Sequence, residues 1–239
     1  MHLVMRKSLR NSQKNEVVTN KKTNMKRVKK GSKKAKILGM MKRYTADDLA
    51  FIEHVRAECK RTGIKCDLRP TKYLKISNIR CSGYFDSEGK ALVCSMNRPD
   101  ALGILAHEYA HLTQWDEGID LWDKAGNSMD KIDQWLGGKR VHNMKRHLGV
   151  SRDLELDNER RTVKLIKKWN LSVDVDDYIK KANAYIHFYN WIFHTRKWSS
   201  PSNSPYTNPG IQAVMSTRFN MKYNELTPRV YNAFAKANI

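Results

Sequence analysis

Pro99-Asp100-Ala101-Leu102-Gly103-Ile104-Leu105-Ala106-His107-Glu108-Tyr109-Ala110-His111-Leu112-Thr113-Gln114-Trp115 is the stretch on which the fold turns. Leu102, Leu105, Tyr109 and Leu112 recur at helical spacings, and Pro99 and Asp100 suit a helix's first turn, so a helix is predicted over about 99–115. On such a helix, residues four apart lie one above the other. His107 and His111 would then face one point, where two imidazoles can bind a single Zn²⁺ at about 2.0–2.1 Å. Glu108 would project from the adjacent flank toward a water on that ion. With 8 His in 239 residues, chance yields His-Glu-x-x-His in roughly one such chain in a hundred, so the pattern is read as chemistry. The competing reading is two histidines that face solvent or are satisfied in the core.

Working outward, Thr45 with Asp48 three residues on forms the cap of an earlier helix. Its stripe is Leu49, Ile52 and Cys59 with Val55 alongside, and Gly63 ends it. Residues 64–68, 73–76, 79–85 and 91–96 are short β-branched or aromatic runs, with Asp86-Ser87-Glu88-Gly89 as a hairpin turn. Downstream, Ser128 is expected to cap a short helix through Met129, Ile132, Trp135 and Leu136 that stops at Gly137-Gly138. Further helices are expected over about 152–169 and 175–198, then a loop over 199–210 and a last helix opened by Thr227-Pro228. The expected fold class is α+β: a small antiparallel sheet, the HExxH helix, and a mostly helical C-terminal half, all within one domain over 44–239.

The net charge of +21 is uneven. Residues 1–43 hold 15 Lys or Arg against Glu16 alone, a net of +14 that leaves +7 to the rest. This segment lacks apolar periodicity and repels itself, so it is expected to be a disordered basic tail. It reads as a solubilising extension or sequence upstream of a start at Met40 or Met41, as a polyanion-binding tail that would attract nucleic acid, or as an organelle presequence. No apolar run reaches the ~20 residues of a membrane span, and no secretory signal is evident. A cytoplasmic, non-secreted protein without a membrane partner is expected. Cys59, Cys66, Cys81 and Cys94 lack CxxC spacing and read as reduced, packed thiols.

HExxH on an amphipathic helix directly after a hairpin resembles the zincin metallopeptidases, over about residues 64–165. In that superfamily a substrate pairs with an edge strand near the helix, here the strand in 91–96 or its hairpin partner. The gluzincin type takes its third ligand from a downstream helix, commonly with an acid four residues later that holds a zinc histidine through its other nitrogen. The resemblance thus points to Glu155-Leu156-Asp157-Asn158-Glu159, 44 residues beyond His111. Glu155 and Glu159 share a face and Asp157 points elsewhere. Glu155 is assigned as ligand and Glu159 as the residue behind a histidine, with the reverse kept open, as is a solvated acidic face beside Arg160 and Arg161. The metzincin continuation HExxHxxGxxH is disfavoured, because Gln114 stands where a glycine turn is needed. That leaves Glu117 as a minor ligand candidate and the mark of the helix end. His142 and His147, among Lys139, Arg140, Lys145 and Arg146, read as surface.

The resemblance implies Zn²⁺ held by His107, His111 and Glu155, with Glu108 as general base in hydrolysis of a protein or peptide substrate. Tyr178, Ala182, Tyr185 and Tyr189 form a stripe read as core, and no oxyanion-stabilising residue is assigned. A compact domain with a Lys-rich tail is also similar to short metallopeptidases of phage and bacterial genomes, which would place it in a host cytoplasm. The alternative is a nucleic-acid-binding or virion-associated protein whose zinc site is structural or degenerate.

Overall fold

The computed structural model describes residues 39, 42–76, 79–200 and 202–239. The tail expected over 1–43 lies, apart from residues 39, 42 and 43, outside them. Helix α1 (Ala46–Arg61) opens as its sequence predicts: the Thr45 hydroxyl accepts from the Asp48 N–H, and the Asp48 carboxylate accepts from the Thr45 N–H. The same buried carboxylate accepts from the Ser172 N–H and hydroxyl at 2.9 and 2.8 Å, so one cap ties α1 to a loop more than a hundred residues away. Gly63 takes the left-handed conformation at φ +72° that ends the helix.

Five strands follow: β1 (Lys65–Arg69), β2 (Leu74–Ile76), β3 (Ile79–Cys81), β4 (Gly83–Asp86) and β5 (Ala91–Ser95). The hairpin turn is as expected, with Asp86 Oδ1 accepting from the N–H groups of Glu88 and Gly89 and pinning the link between β4 and β5. The expectation of an antiparallel sheet needs correction. The three-stranded sheet runs β1-β5-β4 and is mixed, because β1 pairs parallel with β5, Lys65 opposite Ala91 through Arg69 opposite Ser95. Only β2 and β3 form a purely antiparallel unit, set apart from the main sheet. β5, buried along most of its length, takes the centre and leaves β4 on the edge.

Helix α2 (Ala101–Asp116) carries the HExxH. Pro99 and Asp100 precede it rather than forming its first turn, and Asp100 leaves the helix uncapped because its carboxylate is committed to Arg98. Helix α3 (Asp120–Leu136) starts eight residues before the expected cap; Ser128 lies inside it, its hydroxyl donating back to the Lys124 carbonyl at 2.9 Å. Helix α4 (Met144–Lys168) likewise starts eight residues early. Helix α5 (Val175–Thr195) ends three residues short of the expected limit, the last two residues of the stretch read as loop open a short helix α6 (Pro209–Gln212), and α7 (Pro228–Ala237) is capped by Thr227 as predicted. The chain is α+β and mostly helical among the described residues.

The apolar interior falls into two large cores. One joins α1, the mixed sheet and α2 through Phe51, Val55, Leu92, Cys94, Leu105 and Leu112. The other joins α3, α5, α6 and α7 through Ile132, Phe188, Tyr189, Ile192, Ile211 and Phe234. Helix α4 belongs to both, giving Met144 and Leu148 to the second and Ile166 to the first. Between those ends it buries Glu155, Asn158, Glu159 and Thr162, none of them exposed. Burying carboxylates costs several kcal/mol each unless they are paired, so this polar seam demands an explanation.

Candidate metal centre

The seam of α4 faces the HExxH of α2. His107, Glu108, His111 and Glu155 are 2%, 4%, 1% and 0% exposed. Glu155 Oε2 lies 3.8 Å from His107 Nε2, and Oε1 lies 3.7 Å from His111 Nε2. Ligand atoms of all three residues fall within 4.8 Å of one another, and among the described residues this is the one His/Cys/Asp/Glu group so disposed. A tetrahedral ion with ligands at about 2.0–2.2 Å holds them roughly 3.4 Å apart, so the group needs only a small contraction to fit.

The far sides of both imidazoles are held. His111 Nδ1 lies 2.9 Å from Gln114 Oε1. The Gln114 amide nitrogen donates to the Leu154 carbonyl and to Asp157 at 3.1 and 2.8 Å, which fixes Oε1 as the atom facing the ring. His111 Nδ1 must therefore carry the proton, leaving Nε2 with a bare lone pair aimed at Glu155. Behind His107, Glu159 Oε1 stands 3.3 Å from Nδ1, while the Asn158 amide sits 2.9 Å from the same nitrogen and donates to the His107 carbonyl. The fully buried Glu155 and Glu159 exclude the solvated-face reading. Asp157 points away as expected, toward Gln114 and Arg161. Glu117 is far from a ligand role: it closes α2 ahead of Gly118 and pairs with Arg161 at 2.7 Å, half exposed. His147 is part-buried against the Ser128 hydroxyl, and His142 is exposed as expected.

Electrostatically the group holds too much negative charge. Burial pushes Glu155 up to about 8 and Glu108 up to about 7. Burial works against a charged His107, but Glu159, Glu108 and Glu155 together outweigh it and hold that imidazole above its ordinary value. His111 is pushed well below its own, first by burial and then by His107. Among the described residues Glu155 and Glu159 have no lysine or arginine partner, and His111 Nε2 and both Glu155 oxygens have no hydrogen-bond partner. The bare His111 Nε2 lone pair and a Glu155 carboxylate facing it would repel, so a positive charge, a proton or a cation, belongs between them. The donor set and its orphaned atoms could hold a metal ion.

Edge strand β4 passes directly over Glu108. A Cβ on Gly83 would meet Ile104 Cγ2 at 2.8 Å and Glu108 Cγ at 3.0 Å, so only glycine lets the strand approach α2 this closely. The Phe85 N–H bonds the Glu108 carboxylate. Two cavities flank the group: one of about 260 Å³ whose walls include Ile104, Glu159, Tyr178 and Tyr185, and one of about 370 Å³ whose walls include Phe85, Trp115 and Trp122. The four central side chains line neither.

Sequence reasoning placed His107, His111, Glu108, Glu155 and Glu159 in this cluster and missed three others. Gln114 was read only as the absence of glycine, although its place three residues after His111 on the same face is a usable signal. Asn158 carries the same kind of signal, three residues after Glu155. Tyr178, read as core, donates its hydroxyl to Glu159 Oε2 at 2.5 Å, and nothing local announces that contact. Comparison with known protein families, curated proteins and solved structures gave no match for this chain, so the chemistry rests on the geometry itself.

Proposed function

We propose that this protein is a zinc-dependent peptidase of gluzincin type. The observation that carries the reading is the convergence of two imidazole Nε2 atoms and one buried carboxylate that has no lysine or arginine partner among the described residues. His107, His111 and Glu155 would hold the ion, with Glu159 and Gln114 fixing the imidazoles from behind. Zinc, when bound, supplies Lewis-acid polarisation of a carbonyl and of a water. Glu108 takes the proton from the attacking water and passes it to the leaving amine. A peptide would lie along β4, the edge strand that crosses Glu108, rather than along β5, which is interior.

The near-complete burial of all four side chains favours a second reading, a structural ion in a nucleic-acid-binding or virion-associated protein. One experiment separates the two. Purified protein with equimolar zinc is incubated with a peptide library, beside Glu108→Gln. The peptidase reading expects cleavage by the parent and at least a thousandfold loss in the variant with zinc content unchanged. Cleavage that persists in Glu108→Gln removes the assignment. Tight zinc without cleavage, together with salt-sensitive DNA binding that survives zinc removal, favours the second reading.

A further inference from the structure

We propose that Tyr178 is a positioning residue for this centre, acting through Glu159 on the orientation of His107; the inference rests on the reading of His107, His111 and Glu155 as ion ligands. Tyr178 stands on α5 and reaches across to α4, where its hydroxyl donates to Glu159 Oε2 at 2.5 Å. The other oxygen of that carboxylate is the one 3.3 Å from His107 Nδ1. Rotation about a carboxylate's last torsion is loosely restricted, so an anchored Oε2 is what keeps Oε1 on the imidazole. Among the described residues no hydrogen bond holds Oε1 in its own right.

The phenol is itself fixed relative to the histidine it serves. Its ring packs against Gly103, one turn before His107 on α2, where an added Cβ would stand 3.3 Å from two ring carbons. Tyr185 and Tyr189, on the same stripe of α5, instead face each other with hydroxyls 3.5 Å apart. A tyrosine serving only as core has no need of a charged acceptor that backs a histidine. In an ion-bound centre His107 would carry its proton on Nδ1, facing Glu159 Oε1, and turn the Nε2 lone pair toward Glu155.

Partners behind a ligating histidine typically change metal affinity by 10–100-fold when removed. Tyr178→Phe is therefore expected to weaken zinc binding by about tenfold and to shift the visible absorption of the Co²⁺-loaded protein. Tyr223→Phe is the control: it removes another buried phenol's bond, to Asn183 Oδ1 at 2.7 Å, which backs neither histidine, and is expected to leave affinity and spectrum unchanged. On a Glu159→Gln background, Tyr178→Phe should add less than about twofold, since residues acting through one another are not additive. Should Tyr178→Phe fail to fold, Gly103→Ala, which displaces the ring without removing the hydroxyl, should produce the same spectral shift. An unchanged dissociation constant and Co²⁺ spectrum in the folded variant, or a full tenfold loss on the Glu159→Gln background, would overturn the inference while leaving the centre intact. A parent protein that binds neither ion overturns the centre and this inference together.

Discussion

Two buried histidine sites in this molecule look alike by accessibility and differ in what surrounds them. His187, on α5, is fully buried, and neither ring nitrogen has a hydrogen-bond partner among the described residues. Its ring lies over Tyr223 at 5.5 Å and 33°, and burial, aided by Arg152, pushes it down to about 4. His107 and His111 are equally buried, but their outer nitrogens are backed by Glu159 and Gln114 and their inner ones converge on Glu155. Unpartnered atoms at both sites show that burial alone does not announce a ligand. What sets the second site apart is that two imidazole nitrogens and a carboxylate converge on one point, a group that could hold a metal ion.

The comparison breaks most easily with metal. Zinc at a thousand times its dissociation constant should stabilise the parent by about 4 kcal/mol, read as a shift in the denaturation midpoint. His187→Phe should keep that gain in full, and Glu155→Gln should lose it. Because the Glu155 carboxyl is held up to about 8, it is protonated at pH 7 without metal, so an amide of the same shape should change metal-free stability little. Equal stabilisation of Glu155→Gln by zinc would show that the ion binds elsewhere.

The same centre sets a slope with pH. Glu155 and Glu108 bind protons in the folded protein at pH values where the unfolded chain, with glutamates near 4.5, has released them. The contribution of these two carboxyls to the stability of the metal-free protein should therefore fall as pH rises from about 4.5 to about 8. Saturating zinc should flatten that slope, since a coordinated carboxylate holds no proton. Chemical denaturation at several pH values, with and without zinc, tests this; slopes that are the same in both would count against Glu155 as the ion's ligand.

Much of this centre was legible because it depends on the helical period. Four-residue spacing places His107 over His111 and Glu155 beside Glu159 wherever the helices lie, so only their meeting had to be supplied by the fold. Tyr178 and the parallel pairing of β1 with β5 depend on how distant elements dock, and no neighbouring residue encodes that. The early starts of α3 and α4 escaped for a local reason. Ile119 caps α3 without a side-chain bond, and Asn143 precedes α4 in a left-handed conformation at φ +53° with no capping bond, so neither start carries the usual signal, whereas Thr45 and Thr227 do.

His187 sharpens the contrast with a slope of opposite sign. Its folded value near 4 lies below the ordinary 6.5, so the unfolded chain binds the extra proton between those limits. The stability associated with keeping it neutral is complete above about pH 6.5 and is lost as pH falls to about 4, amounting to roughly 3 kcal/mol. The difference in unfolding free energy between the parent and His187→Phe, measured from pH 7 to pH 4, isolates this contribution. It should grow as pH falls, and zinc should leave it unaltered. A flat difference would mean that His187 is hydrated or paired in the folded protein.

The smallest effect is expected from the same substitution at neutral pH, where no proton is involved. Phenylalanine keeps a planar ring against Tyr223 and removes two buried nitrogens that lack partners. Relief of that desolvation should stabilise the protein by about 1 kcal/mol. The corresponding change at His111, whose Nδ1 is bonded and whose Nε2 faces Glu155, should go the other way, because it orphans Gln114 Oε1 and leaves Glu155 without its imidazole. Thermal unfolding of the two metal-free variants at pH 7 decides the matter: a gain at 187 beside a loss at 111 distinguishes an incidental buried histidine from one built into a site, and a gain at both would dissolve the distinction.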